Sequence, residues 1–424
     1  MDNNMFRRLT ALFCTILLLA ASGSAAFADS FEFDRDNLPY TDDWDAYSYD
    51  EEYYSQLAGQ GASINFYNWG EYISDGSDDL VDVIAEFEAL TDIKVYYTNF
   101  ATNEELYAKL KSGAASYDVI VPSDYMVARM IKEEMLAPLD YSNIPNVRYM
   151  NPAFMDPNYD PGSVYSLPYA WNTVGIIYNT SMVDEEPDSW SVLWDEQYAG
   201  QILMFNNSRD DFGVTLKYLG YSLNTEDPAQ MREAAELLKE QKPLVQAYVM
   251  DQIFDKMENN EAAIATYYSG DALLIDNDNI AIAIPKEGTN KFVDACCIPA
   301  VAKNKLGAEM FINFLNEPPI AAQNTEYVGY GTANLAAYCL LDEEVRNDPI
   351  LYPPQEILDN SEMYINLSDE ANLMLDQLWT EVKASNKNIL TWGILPVMTI
   401  AAIVIGKRQY RKNREKRHKY MIED

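Results

Sequence analysis

From Ser63 onward the apolar residues change period again and again, and this alternation constrains the fold more than any other feature of the chain. A strand-like run at 64–67 gives way to Leu80, Val83, Ile84, Phe87 and Leu90 at helical spacing, then to a second strand at 93–97. Another helix is predicted from Thr102, whose hydroxyl can cap while Glu105 reciprocates and Leu106 and Leu110 turn inward. Residues 117–121 read as the next strand. The β-α-β-α-β order predicts a mainly parallel sheet covered by helices, an α/β fold. The alternation continues with strands at 175–178, 262–267 and 280–284 and helices near 213–219, 228–240 and 250–259. About 325 residues of such pattern exceed one comfortable core, which predicts two lobes.

The two ends read differently. Arg7 and Arg8 precede an apolar run at 9–21, and Ala26, Phe27 and Ala28 supply the small-residue spacing of a cleavage site, so 1–28 reads as a signal peptide. Cys14 lacks the small-residue context of a lipidated cysteine. Residues 389–406 are uncharged and mostly apolar, and about 18 such residues are just enough for a transmembrane helix. The eight Lys and Arg residues of 407–424 then predict a cytoplasmic C-terminus, which makes the protein a single-pass one at the cell membrane with its folded part extracellular. Residues 29–61 form an acidic, Tyr-rich spacer with too little aliphatic content to order itself, although its aromatics could dock elsewhere.

Charge narrows the partners. The chain carries 67 acidic and 30 basic residues, and ten of the basic ones sit at the two ends. The exported part keeps 20 basic and 63 acidic residues, so nucleic acid is a poor partner and a cationic small molecule a good one. The one histidine, His418, lies in the basic tail, which removes Ser-His-Asp and Cys-His catalysis and any histidine zinc site from the exported part. A paired-carboxylate hydrolase remains formally open. Cys296, Cys297 and Cys339, an odd count with two adjacent thiols, do not form a disulfide framework and read as buried free thiols, one bridge to Cys339 being the alternative. The run from Asp276 to Asn279 lacks the Gly and distal Glu of a calcium loop and reads as a turn.

Aromatic residues and isolated acids recur where strands end. Trp69 and Tyr72 follow the first strand, and Ser123 and Tyr125 follow the third. Tyr268 and Asp271, Phe292 and Asp294, and Tyr330 sit in later segments read as loops. Open α/β folds place ligands at such positions, and flat aromatic faces suit an organic cation.

Several stretches together resemble the polyamine-binding proteins (spermidine/putrescine type) of ABC transporters: Tyr67-Asn68-Trp69-x-Glu71-Tyr72, Tyr117 to Ser123, Leu167-Pro168-Tyr169-Ala170-Trp171, Leu219-Gly220-Tyr221-Ser222, Pro285-Lys286-Glu287-Gly288 and Gly329-Tyr330-x-Thr332-x-Asn334. The resemblance covers nearly all of 62–385. It implies a two-lobed periplasmic-binding-protein fold of type II, with lobe 1 formed by 62–170 and 294–340 and lobe 2 by 171–293 and 341–386. It also implies no enzymatic activity, no cofactor or metal, and an ABC permease as partner. Carried over by position, Trp69, Tyr72, Ser123, Tyr125, Tyr268, Phe292 and Tyr330 become walls and hydrogen-bonding groups, and Asp294 the carboxylate that holds an amine. Asp210 and Asp271 supply further acids, and Tyr364 stands where spermidine binders carry Gln. Asp271 and Phe292 match putrescine-type relatives.

The physical logic runs in parallel. Alkyl amines are cationic at neutral pH, and charge-assisted bonds to carboxylates are the strong ones. Two amines need two separated acids, with Asp271 and Asp294 at one end and Asp210 at the other. Asp210 has structural alternatives, pairing with Arg209 or capping a helix near Phe212, and Trp171 reads as a structural residue in a lobe crossover. A sensor that keeps the binding fold is the alternative function, although the tail after Gly406 is too short for a catalytic signalling domain.

Overall fold

The computed structural model describes residues 47–385, positions 78 and 114 apart. The expected signal peptide, most of the spacer, the apolar segment 389–406 and the basic tail lie outside them. Among the described residues no helix is long and apolar enough to cross a membrane.

Strand β1 (Ser63–Trp69) pairs in parallel with β2 (Lys94–Phe100) and β3 (Val119–Ile120). The helices between them follow from local chemistry. Asp82 caps the helix Val83–Thr91 by accepting from the Ala85 amide, and Asp92, left-handed at φ 60°, ends it. Thr102 caps the helix Asn103–Lys111, while Glu105 reaches back to the Ala101 amide, one residue beyond the Thr102 amide of the reciprocal bond expected. After the short β4 (Leu136–Ala137), the 14-residue β5 (Ser166–Asn179) leaves this lobe and enters the second.

There β6 (Ile202–Phe205) pairs in parallel with β7 (Val245–Val249) and β8 (Ile264–Tyr268), and β9 (Ile280–Ala283) runs antiparallel to β5. Strand β10 (Lys291–Pro299) brings the chain back, antiparallel to β3 and β5. Each lobe thus has a parallel triplet, which the alternation predicts in the first lobe and of which it predicts only β8 in the second, and each is extended by antiparallel strands that it does not predict. The reason is topological: β5 and β10 carry the chain between lobes in opposite directions, where a helical crossover would have returned it parallel. The half of β5 up to Thr173 pairs with β10, and the half from Val174 pairs with β8 and β9, so the lobes meet at Thr173/Val174.

Two apolar layers sandwich the first sheet. Phe66, Phe87, Phe311 and Phe314 fill one face, and Tyr67, Phe100, Ile120 and Met126 the other. Cys296 and Cys297 are free thiols on opposite faces of β10, one in each layer. Lobe 2 is built around Ile176, Trp190, Phe205 and Ile264, with a second layer of Phe212, Leu216, Leu238 and Leu378. Within the interval 341–386 expected for lobe 2, Leu341, Leu351, Tyr352 and Leu358 pack in the lobe 1 core. Leu375, Leu378 and Val382 of the helix Asp369–Ala384 pack in lobe 2. The end of the acidic spacer is docked on lobe 1: Tyr54 is wholly buried against Phe314, donates to Glu317 at 2.6 Å and accepts from Asn313 at 2.7 Å. Tyr47 donates to the same Glu317.

Candidate functional site

All eleven residues singled out in the sequence line one cleft, which encloses about 700 Å³ including its open mouth. Trp69 ends β1, and its indole donates to the Val121 carbonyl at 2.8 Å, which fixes the ring at the end of the sheet. Tyr72 follows a turn in which Glu71 is left-handed at φ 48°. Ser123 precedes the helix Asp124–Lys132, yet its hydroxyl does not cap it. It donates instead to Asp294 at 2.6 Å, held by Asn103 on both its amide and hydroxyl.

Asp294 and Phe292 lie within β10, two residues apart on one face, and are strand residues where the sequence suggested a loop. A register shift at Asp294/Ala295 leaves Tyr169 of β5 as the extra residue, the kind of bulge that re-aims side chains beside a site. Tyr72 donates to the other oxygen of Asp294 at 2.7 Å, so this carboxylate is oriented from both sides. Asp271 accepts from Tyr330 at 2.9 Å. The two loops carrying that pair touch backbone to backbone: a Cβ on Gly270 would lie 2.2 Å from the Gly329 carbonyl oxygen.

Asp210 sits in the first turn of the helix Ser208–Tyr218, where Tyr268 donates to it at 3.0 Å and Asn207 at 2.8 Å. Both structural alternatives for Asp210 fail. Asn207 caps the helix, and Arg209 turns away to Asn224 and the Ile365 carbonyl, beneath the Tyr364 ring at 4.5 Å. Tyr364 donates to the Arg209 carbonyl at 3.0 Å and occupies space that a Cβ at position 213 would take, 2.1 Å from the phenol oxygen. Tyr125 donates to Glu104 at 2.9 Å and meets Tyr364 edge-on. Tyr268, Phe292 and Tyr330 form a chain of edge-on rings between the two groups of acids. Trp171 is elsewhere, buried against Phe154 and Tyr352, in the structural role expected.

Burial governs the electrostatics. It pushes Asp294 up to about 6, Asp210 to about 7 and Asp271 to about 8, while the hydroxyls bonded to each pull the other way. Three carboxyls are thus held in a water-poor slot between aromatic faces. Such a slot gains most from an incoming cation, whose opposite charge offsets the desolvation.

Sequence reasoning missed Asp251, Asp124 and Asn290, which line the same cleft. Asp251 follows β7 and obeys the strand-end rule, but β7 itself went unrecognised. Asp124 was legible as the neighbour of Ser123. Nothing in the sequence pointed to Asn290.

The fold and cleft define a two-lobed solute-binding protein. Residues 82–353 match the bacterial extracellular solute-binding proteins, and the chain belongs to that family. It is 37% identical over 331 residues to the spermidine/putrescine-binding periplasmic protein of Escherichia coli, covering 77% of this chain and 93% of that one. It is 31% identical over 348 residues to a putrescine-binding periplasmic protein of Pseudomonas aeruginosa, covering 77% and 93%. A solved spermidine/putrescine ABC transporter structure from Listeria monocytogenes superposes with a TM-score of 0.72 at 40% identity, covering 76% of this chain and 99% of that one. As a member of a family of solute-binding proteins, the chain is a binding protein and not an enzyme.

Proposed function

We propose that the protein captures a polyamine, putrescine or spermidine, between its lobes and delivers it to an ABC permease. The observation that carries this reading is the placement of Asp294 with Asp271, and of Asp210, on either side of the aromatic chain Tyr268, Phe292 and Tyr330. Protonated nitrogens meet the carboxylates, and the methylenes lie against the rings, each cation–π contact adding roughly 0.5–2 kcal/mol. Names of relatives that bind spermidine and putrescine support the same ligand class. Asp271 and Phe292 favour the shorter diamine.

Closure follows from the strand crossings. β5 alone is paired in both sheets, and β10 returns the chain to the first lobe at the same crossing, so rotation at Thr173/Val174 opens and shuts the cleft with each lobe rigid. The apolar segment 389–406 and the basic tail after it tether the protein to the cell membrane, where tethering raises its effective concentration at the permease. Recovery of the intact protein in the soluble external fraction of cells would contradict the tether. The ligand is tested by isothermal titration with putrescine, spermidine, spermine and cadaverine. Saturable binding of at least one is expected, and no heat or thermal stabilisation with any of the four would sink the polyamine reading.

A further inference from the structure

Hydrogen-bond supply differs between the two ends of the cleft. At the Asp271/Asp294 end two carboxylates share three hydroxyl donors, one each on the two oxygens of Asp294 and one on Asp271 Oδ1, which leaves Asp271 Oδ2 and a second lone pair on each of the others. At the other end Asp210 stands alone, and its Oδ2 already accepts from both Tyr268 and Asn207, which leaves Oδ1 for a ligand. A primary ammonium carries three N–H donors, so one free carboxylate oxygen cannot satisfy it in a dry site.

Asn290 supplies what is missing. It is 6% exposed, and its Oδ1 is buried without any hydrogen-bond partner among the described residues. It lines the cleft and also the narrow recess behind Asp210, together with Tyr364 and Gly213. Its backbone is fixed where the lobes cross: its carbonyl accepts from the Val174 amide at 3.0 Å, and Thr289 and Lys291 on either side are bonded to Glu362. Buried amide oxygens are seldom left unpaired in native proteins, and one that lines a ligand cleft calls for a donor from the ligand or from an ordered water.

We propose that Asn290 Oδ1 and Asp210 Oδ1 together accept the N–H groups of a primary ammonium, so that this end of the cleft selects –NH₃⁺ over a secondary or acylated nitrogen. Asn290 is then a specificity-determining residue of the second lobe. The inference rests on the polyamine reading of the cleft.

Its test compares putrescine with N-acetylputrescine, whose single ammonium is taken by the Asp271/Asp294 end. In Asn290→Leu the affinity for putrescine is expected to fall tenfold or more, and that for N-acetylputrescine less than twofold. Asn290→Asp, which keeps an acceptor of the same reach, is expected to retain putrescine binding and reports on folding at the same position. Equal losses for both ligands, no loss for either, or a loss in Asn290→Asp as large as in Asn290→Leu would overturn the proposal. Failure of the polyamine reading looks different, because the unaltered protein would then give no heat with any diamine.

Discussion

Asp294 carries the largest expectation at the scale of single residues. It is buried and oriented by Tyr72 and Ser123, so Asp294→Asn removes one charge partner of the ligand without emptying the space. The loss is expected to be roughly 2–5 kcal/mol, about 30-fold or more in affinity for putrescine by titration calorimetry. The raised acids also set a pH dependence. Because burial lifts Asp294, Asp210 and Asp271 to about 6, 7 and 8, the fold favours their protonated forms. That stabilisation is complete below the ordinary carboxylate range near 4 and is lost as pH rises through about 6 to 8. A cationic ligand acts in the opposite sense, since it favours the ionised acids. Affinity is therefore expected to weaken as pH falls from 8 to 5, with proton release on binding near pH 7. Calorimetry in two buffers of different ionisation enthalpy checks this, and a flat profile would contradict it.

Between residue and lobe, single elements place the walls of the cleft. The helix Ser208–Tyr218 admits Tyr364 because position 213 has no side chain. Gly213→Ala is expected to push the phenol out of the wall, costing roughly 1–3 kcal/mol of stability and weakening ligand binding, read by thermal melting and titration together. The short helix Glu51–Tyr54 matters in another way. Tyr54→Phe would strip Asn313 and Glu317 of a buried partner and is expected to cost about 1–3 kcal/mol in denaturant unfolding, with ligand affinity unchanged.

These same elements show what the sequence could convey. Helices with periodic apolar faces and capping residues were readable, as Thr102 and Glu105 illustrate. So was the alternation that builds the first lobe's parallel triplet, whereas of the second lobe's triplet only β8 was legible and β6 and β7 were not. Strand β10 was not, because Phe292 and Asp294 face a ligand cleft where polar and aromatic residues replace the apolar strand pattern. The docking of Tyr54 was equally hidden: composition registers the acids of the spacer, but only the tertiary fold reveals that Phe314, Asn313 and Glu317 await its tyrosines. Most candidate residues emerged as aromatics or acids in or beside strand ends and motifs, and Asp210 and Tyr364 through the resemblance, whereas Asn290 and Asp251 were marked by neither.

The whole molecule is two lobes hung on β5 and β10, and the cleft between them gains its meaning from closure. In the proposed cycle, rotation at Thr173/Val174 would part and rejoin Asp210 and Tyr364 of the second-lobe side and Trp69, Ser123 and Tyr125 of the first, Tyr125 and Tyr364 being in ring contact in the present structure. Small-angle scattering is expected to show a decrease in radius of gyration on adding putrescine, and no change on adding 1,4-butanediol, which has the same carbon chain without charge. The most direct measurement of the central claim is a crystal structure of the complex with putrescine. The expected density places one nitrogen within about 3 Å of the Asp271 and Asp294 carboxylates and the other within about 3 Å of Asp210, with the carbon chain against Phe292 and Tyr268. Nitrogens bound away from all three acids, or a diamine lodged outside the cleft, would contradict the account.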